Sequence, residues 1–207
     1  MDECITADAN RPVAASAVLG GTAITSRIAF ERGATVFVAG MPGRPWRVVE
    51  GLVRLDREGL NGPEFGGLAR VGDVIGAETL MFDRYTYTAV ALLPLTLEPW
   101  CHGTVSEREH GLLLALARSE RRMADVLALR GGRAAERIRR LFGYIAEAIG
   151  YRDAQAPCIP MLRLRDIADI ITGLQVETVS RTISQLSDHG EISPLARRQV
   201  QLNYSPD

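Results

Sequence analysis

The chain has 207 residues, 46% hydrophobic and 24% charged, which suffices for one large domain or two small ones with a real core. No apolar run approaches the roughly 20 residues that cross a bilayer, and the N-terminal MDECITADAN is acidic and polar, unlike a secretory leader or a transit peptide. A formal net charge of −1 gives no whole-chain sign of a nucleic-acid partner, but all 24 basic residues are arginine, so any phosphate contact falls to arginine, backbone N–H or hydroxyl groups.

Taken in chain order, residues 1–21 read as an N-terminal arm. From about residue 22 to 98 the pattern is strand-like: RIAFERG, TVFVAGM, WRVVEG, LVRLDREG, EFGGLARVG, DVIGAETL, TYTAVALLP and LTLEPW are short, β-branched or aromatic, and punctuated by glycine or proline. That rhythm predicts an antiparallel sandwich or barrel. The pattern changes at TVSEREHGLLLALARSERRMADVLALR, where Ser106 and Glu109 suit a capping box. Leu112, Leu116, Ser119, Met123 and Val126 then recur at 4-3-4-3 spacing. Two arrangements satisfy this stripe: the seam of a short coiled coil between two copies, or a helix lying on its own β domain. Gly131 and Gly132 end the helix and offer a hinge.

Beyond the hinge, RAAERIRRLFGYIAEAIG presents an apolar face of Ile138, Leu141, Phe142, Ile145 and Ile149, and YRDAQAPCIP reads as a loop. RDIADIITG then predicts a short helix closed by glycine, LQVETVSRTISQLSDHG a second helix closed at Gly190, and EISPLARRQVQLN a strand, turn and strand. Two short helices across a glycine turn describe a helix-turn-helix. Leu174, Val179 and Ile183 face inward; Glu177, Ser180, Arg181 and Ser184 project the other way, with Gln175 and Thr178 beside them. Arginine donates bidentately to guanine and glutamate accepts from the cytosine amino group. The same face would also serve a helix that simply meets water, and residues 161–207, with five arginines against six acids, are not a basic patch. Residues 118–140 hold eight arginines and three acids.

The order of zones, with RDIADIITGLQVETVSRTISQLSDHGEI and VVEGLVRLDREG…LARVGDVIGAETL as local matches, resembles the CRP/FNR family of bacterial transcription regulators over about residues 22–203. The resemblance implies an α+β fold: a β-roll sensor domain like the cyclic-nucleotide-binding domain (22–105), a dimerisation helix (106–130) and a winged helix-turn-helix (131–207). It implies a cytoplasmic homodimer, not an enzyme, that binds double-stranded DNA and works through RNA polymerase, most commonly as an activator. V-E-T-V-S-R matches the FNR and FixK branches, which places Glu177, Ser180 and Arg181 at the base-contacting positions of a TTGAT-N4-ATCAA palindrome.

Three departures bear on the signal. Ala168 to Gly173 is one residue longer than the family's usual helix-to-turn spacing. The expected effector pocket would be built from Gly76, Glu78, Arg84, Tyr85 and Thr86, yet Tyr85, beside Thr86, stands at the arginine of the Arg-Ser/Thr pair that holds a cyclic nucleotide, which argues against cyclic AMP. Three cysteines (Cys4, Cys101, Cys158), far apart and without CxxC, suit reduced thiols and are too few for the family's iron–sulfur cluster. Haem would rest on Cys101–His102 alone, no metal site is expected, and Cys158 precedes the DNA-reading unit. The alternatives are a sensing module of the same family with weakened DNA binding, or a cupin-like enzyme, which the histidine-free β region disfavours.

Overall fold

The computed structural model describes residues 27–60, 62–100, 104–149, 156–171 and 173–204. The N-terminal arm, the Cys101–His102 pair and Thr172 therefore lie outside the described residues. Eight short strands form the N-terminal half: β1 (Ile28–Phe30), β2 (Thr35–Phe37), β3 (Trp46–Glu50), β4 (Val53–Gly59), β5 (Gly62–Ala69), β6 (Val74–Ile75), β7 (Thr88–Ala91) and β8 (Leu95–Pro99). They make two antiparallel sheets, ordered β1-β8-β3-β6 and β2-β7-β4-β5. Side chains on a strand alternate between faces, so Val53 and Leu55 of β4 and Leu95 and Leu97 of β8 point into a common core with Phe37, Val48, Ile75 and Ala89. The antiparallel pairing expected from the spacing of strands and turns is present, and the roll is the form that the family resemblance implies. One element has no counterpart in that expectation: α1 (Thr79–Phe82), a single turn after Gly76.

The helix α2 (Val105–Arg130) is 26 residues long. Its capping box lies two residues earlier than expected: the Glu107 N–H donates to Thr104 Oγ1 at 3.3 Å, and Thr104 N–H donates to Glu107 Oε2 at 2.6 Å. Both Thr104 and Ser106 have a glutamate three residues on, so local pattern cannot choose between them. Helix α3 (Ala134–Ala148) follows across Gly131–Gly132 and buries Ile138, Leu141, Phe142 and Ile145 completely. Then come β9 (Cys158–Pro160), α4 (Leu164–Ile170), α5 (Val176–Asp188), β10 (Ile192–Leu195), a 3-10 turn (Ala196–Arg198) and β11 (Gln199–Leu202). Part of the expected loop at YRDAQAPCIP is thus a strand, because Cys158–Pro160 pairs with β11 and completes the sheet β10-β11-β9.

A second core joins the two halves. Leu52, Phe65, Leu68, Leu92 and Leu93 of the β-roll pack in one cluster with α3, α4, α5 and β11. Polar ties reinforce it: Tyr144 donates to Leu68 O at 2.8 Å, Arg54 pairs with Asp56 at 2.8 Å and Asp169 at 3.3 Å, and Arg32 pairs with Asp166 at 3.5 Å.

Candidate DNA interface and effector cavity

Helix α5 is set by its buried face. Val179, Thr182 and Leu186 are buried, while Leu174 and Ile183 pack partly buried against the same cluster. Thr182 resolves its own polarity by donating to Thr178 O at 2.8 Å. The opposite face is exposed at Gln175, Val176, Glu177, Ser180, Arg181 and Ser184, and Thr178 is half-buried between the two. Gln175 is the N-cap. Ser184 returns its hydroxyl to Ser180 O at 3.2 Å. Among the described residues, the side chains of Gln175, Glu177, Ser180 and Arg181 form no hydrogen bond or ion pair within the chain. Their donors and acceptors are free for an external partner.

Helix α4 ends at Ile170. Ile171 leaves the helix at φ −85°, ψ 49° yet stays fully buried, its N–H still donating to Ile167 O at 2.9 Å. The carbonyl turned away at this point is held by Arg137 of α3, whose Nη2 donates to Ile171 O at 2.6 Å and Nε to Leu129 O at 2.8 Å. Burial lowers the Arg137 pKa from its ordinary value. The sequence reading missed this residue, which looks like one more arginine in an arginine-rich helix. The wing is anchored likewise: Arg139 grips Glu191 in two bonds of 2.5 and 2.7 Å, and these bonds hold the Glu191 carboxyl below its ordinary range. At the wing tip Arg198 adopts φ 57°, and its carbonyl accepts from Met161 N at 2.8 Å.

Between the β-roll and α2 lies a cavity of about 280 Å³. Gly76, Glu78 and Thr86 line it, with Tyr87, Ser119 and Arg122 as further polar groups. Arg84 and Tyr85 do not line it. Arg84 is exposed. Tyr85 is buried in the roll, stacked on Phe37 at 3.7 Å between centroids, and its hydroxyl accepts from Trp46 Nε1 at 3.2 Å and donates to Arg44 O at 2.9 Å. Gly76, at φ +73°, makes room for it, since a Cβ there would sit 2.6 Å from the ring. Tyr85 is therefore a core residue whose polar tip is already satisfied. Glu78 Oε1 accepts from Thr86 N at 3.1 Å and Thr86 Oγ1 at 3.3 Å.

The apolar stripe of α2 is divided between two faces. Val126 is buried in the chain's own core, and Leu112 and Ser119 are half-buried against the β-roll. Leu116 and Met123 remain exposed, at 59% and 40%, and are joined by Leu113 at 67% and Leu127 at 63%. With Glu120, these positions repeat at 3-4-3-4 spacing, one residue out of phase with the expected seam at its alternate positions.

A groove of about 460 Å³ lies at the junction of the β5–β6 turn, α2 and α3. Asp73, only 4% exposed, pairs there with Arg122 at 3.4 Å and Arg118 at 3.6 Å and accepts from Arg70 N at 3.1 Å. The Arg70 guanidinium reaches Glu147 of α3 at 2.8 Å, and Arg121 reaches the same carboxylate at 3.4 Å.

Among the described residues, no helix is long and apolar enough to cross a membrane. No protein-family model matches the chain, and no curated protein matches it. Solved structures do. TTHB099, a CRP-family transcriptional regulator from Thermus thermophilus, is 30% identical with a TM-score of 0.70, over 86% of this chain and 92% of its own. TTHA1359, a CRP/FNR-family transcriptional regulator of the same organism, is 26% identical with a TM-score of 0.63, over 86% and 94%. FixK2 from Bradyrhizobium japonicum shares the fold at 22% identity and a TM-score of 0.70, over 88% and 94%. With a β-roll, a long helix and a winged helix-turn-helix in that order, this chain belongs to the CRP/FNR family of transcriptional regulators.

Proposed function

We propose that the protein binds a TTGAT-N4-ATCAA-like palindrome as a homodimer and activates transcription through RNA polymerase. Glu177, Ser180 and Arg181 read base edges, and Gln175, Thr178 and Ser184 flank them. The observation that carries this reading is the exposed face of α5: a helix fixed from behind by Val179, Thr182 and Leu186, with side chains of base-reading chemistry that have no partner within the described chain. Arginine supplies a bidentate donor pair to guanine, glutamate an acceptor for the cytosine amino group, and serine a hydroxyl that suits either.

A palindrome needs two reading heads related by a two-fold axis. The seam falls on Leu113, Leu116, Met123 and Leu127 of α2, exposed apolar side chains on either side of Glu120, of the kind that monomers cover on association. The β-roll is the sensor and its cavity beside α2 the effector site. The test is binding of purified protein to the palindrome and to a scrambled duplex at fixed salt, because phosphate contacts alone produce affinity without sequence preference. Selective binding that Glu177→Ala and Arg181→Ala each weaken is expected. Equal affinity for both duplexes would leave a sensing module with weakened DNA binding as the better reading.

A further inference from the structure

We propose that the cavity between the β-roll and α2 takes a small apolar molecule bearing one carboxylate, and that Arg122 receives that carboxylate. The inference rests on the reading of this cavity as the effector site. Its walls are mainly Phe37, Leu55, Val74, Ile75, Leu112 and Leu116, which suit an aromatic or aliphatic body. Among the described residues that line it, Arg122 is the single cation, and it comes from α2 instead of from the roll. The Arg122 stem lies against the bare backbone of β5: a Cβ at Gly67, where φ is +148°, would stand 3.5 Å from Arg122 Cβ.

Three features select the charge of the ligand. First, Arg122 makes one hydrogen bond, from Nη1 to Asp73 at 3.4 Å, and the rest of its guanidinium has no partner among the described residues. A planar fork with free N–H groups is matched to a carboxylate. Second, Glu78 lines the same cavity, its carboxylate held by Thr86, so a ligand with more than one negative charge meets repulsion that a monoanion on Arg122 meets least. Third, Asp73 keeps Arg118 and the Arg70 N–H when Arg122 turns to a ligand, so binding does not strand a buried carboxylate. Among the described residues, Arg122 is also the one side chain that lines both the cavity and the junction groove. A ligand that draws it away from Asp73 acts on the cluster that ties α3 to the roll through Arg70 and Glu147.

Calorimetric titration with phenylacetate, phenylacetamide, 2-phenylethylamine and cyclic AMP tests the inference. Phenylacetate is expected to bind about tenfold or more tightly than its neutral amide, the difference made by a charge-assisted hydrogen bond. Arg122→Lys keeps that preference, and Arg122→Gln loses it while still binding the amide, which also reports that the variant is folded. Asp73→Asn removes the competing carboxylate and strengthens phenylacetate binding several-fold. An amide or amine that binds as tightly as the acid, an acid preference that persists in Arg122→Gln, or cyclic AMP as the tightest of the four overturns the carboxylate assignment and leaves the effector site in place. If none of the four binds, the effector-site reading fails with it.

Discussion

Arg181 and Glu191 illustrate two uses of charge in the helix-turn-helix, one turned outward and one inward. Arg181 has no partner within the described chain, so its removal costs the fold little and, on the proposed reading, the DNA complex more. Arg181→Ala is expected to lose about 1–3 kcal/mol at its cognate guanine and to relax specificity at that base pair, measured with single-substitution operators at one salt concentration. Glu191 instead clamps the wing to α3 through Arg139. Its folded pKa lies below the ordinary 4.5, so its contribution to stability is fully present above that value and is lost as pH falls through the lowered one. Glu191→Gln should therefore flatten the acid limb of a stability-versus-pH curve below about pH 4.5. An acid limb identical to that of the natural chain would show that the clamp does not couple to folding.

At the scale of the element, α2 has one inward and one outward apolar stripe, and substitutions on the two should fail differently. Met123→Glu places a charge on the exposed stripe. Sedimentation should report a monomer with unchanged helicity, and a dimer of unaltered stability would move the seam elsewhere. Val126→Ala removes buried methyl groups from the monomer's own core, at an expected cost of about 1–3 kcal/mol in chemical denaturation and with no change in subunit affinity. The two stripes share Leu116 and Met123, which is why periodicity alone cannot separate them. Leu112, Ser119 and Val126 on one phase and Leu113, Glu120 and Leu127 on the other are nearly equal in apolar character. Only the contact of α2 with β5 and with Trp100 decides which phase is covered.

The whole molecule is held by one core that spans the β-roll and the helix-turn-helix. Phe142 lies at its centre with no exposed surface. Phe142→Ala should cost about 3–5 kcal/mol. Both tryptophans, Trp46 and Trp100, belong to the β-roll region, so fluorescence reports that half while far-UV circular dichroism reports the helices. If the core is shared, both midpoints fall together; a tryptophan transition left in place would make the halves independent. The strands of the roll, the long helix with the glycines that end it and the α4–α5 pair were all legible from the chain. Each follows from periodicity, β-branching and turn residues, which are local properties. The polar face of α5 was legible too, because one helix carries both its buried and exposed positions. Tertiary structure alone decided the rest: that Tyr85 is core, that β9 is a strand, that Arg137 caps the turn after Ile171, and that Arg122 stands between cavity and groove. Those assignments depend on partners 34 or more residues away, as for Arg137 with Ile171 and Arg122 with Asp73, and no pattern within a single helix or strand records which distant segment comes to cover it.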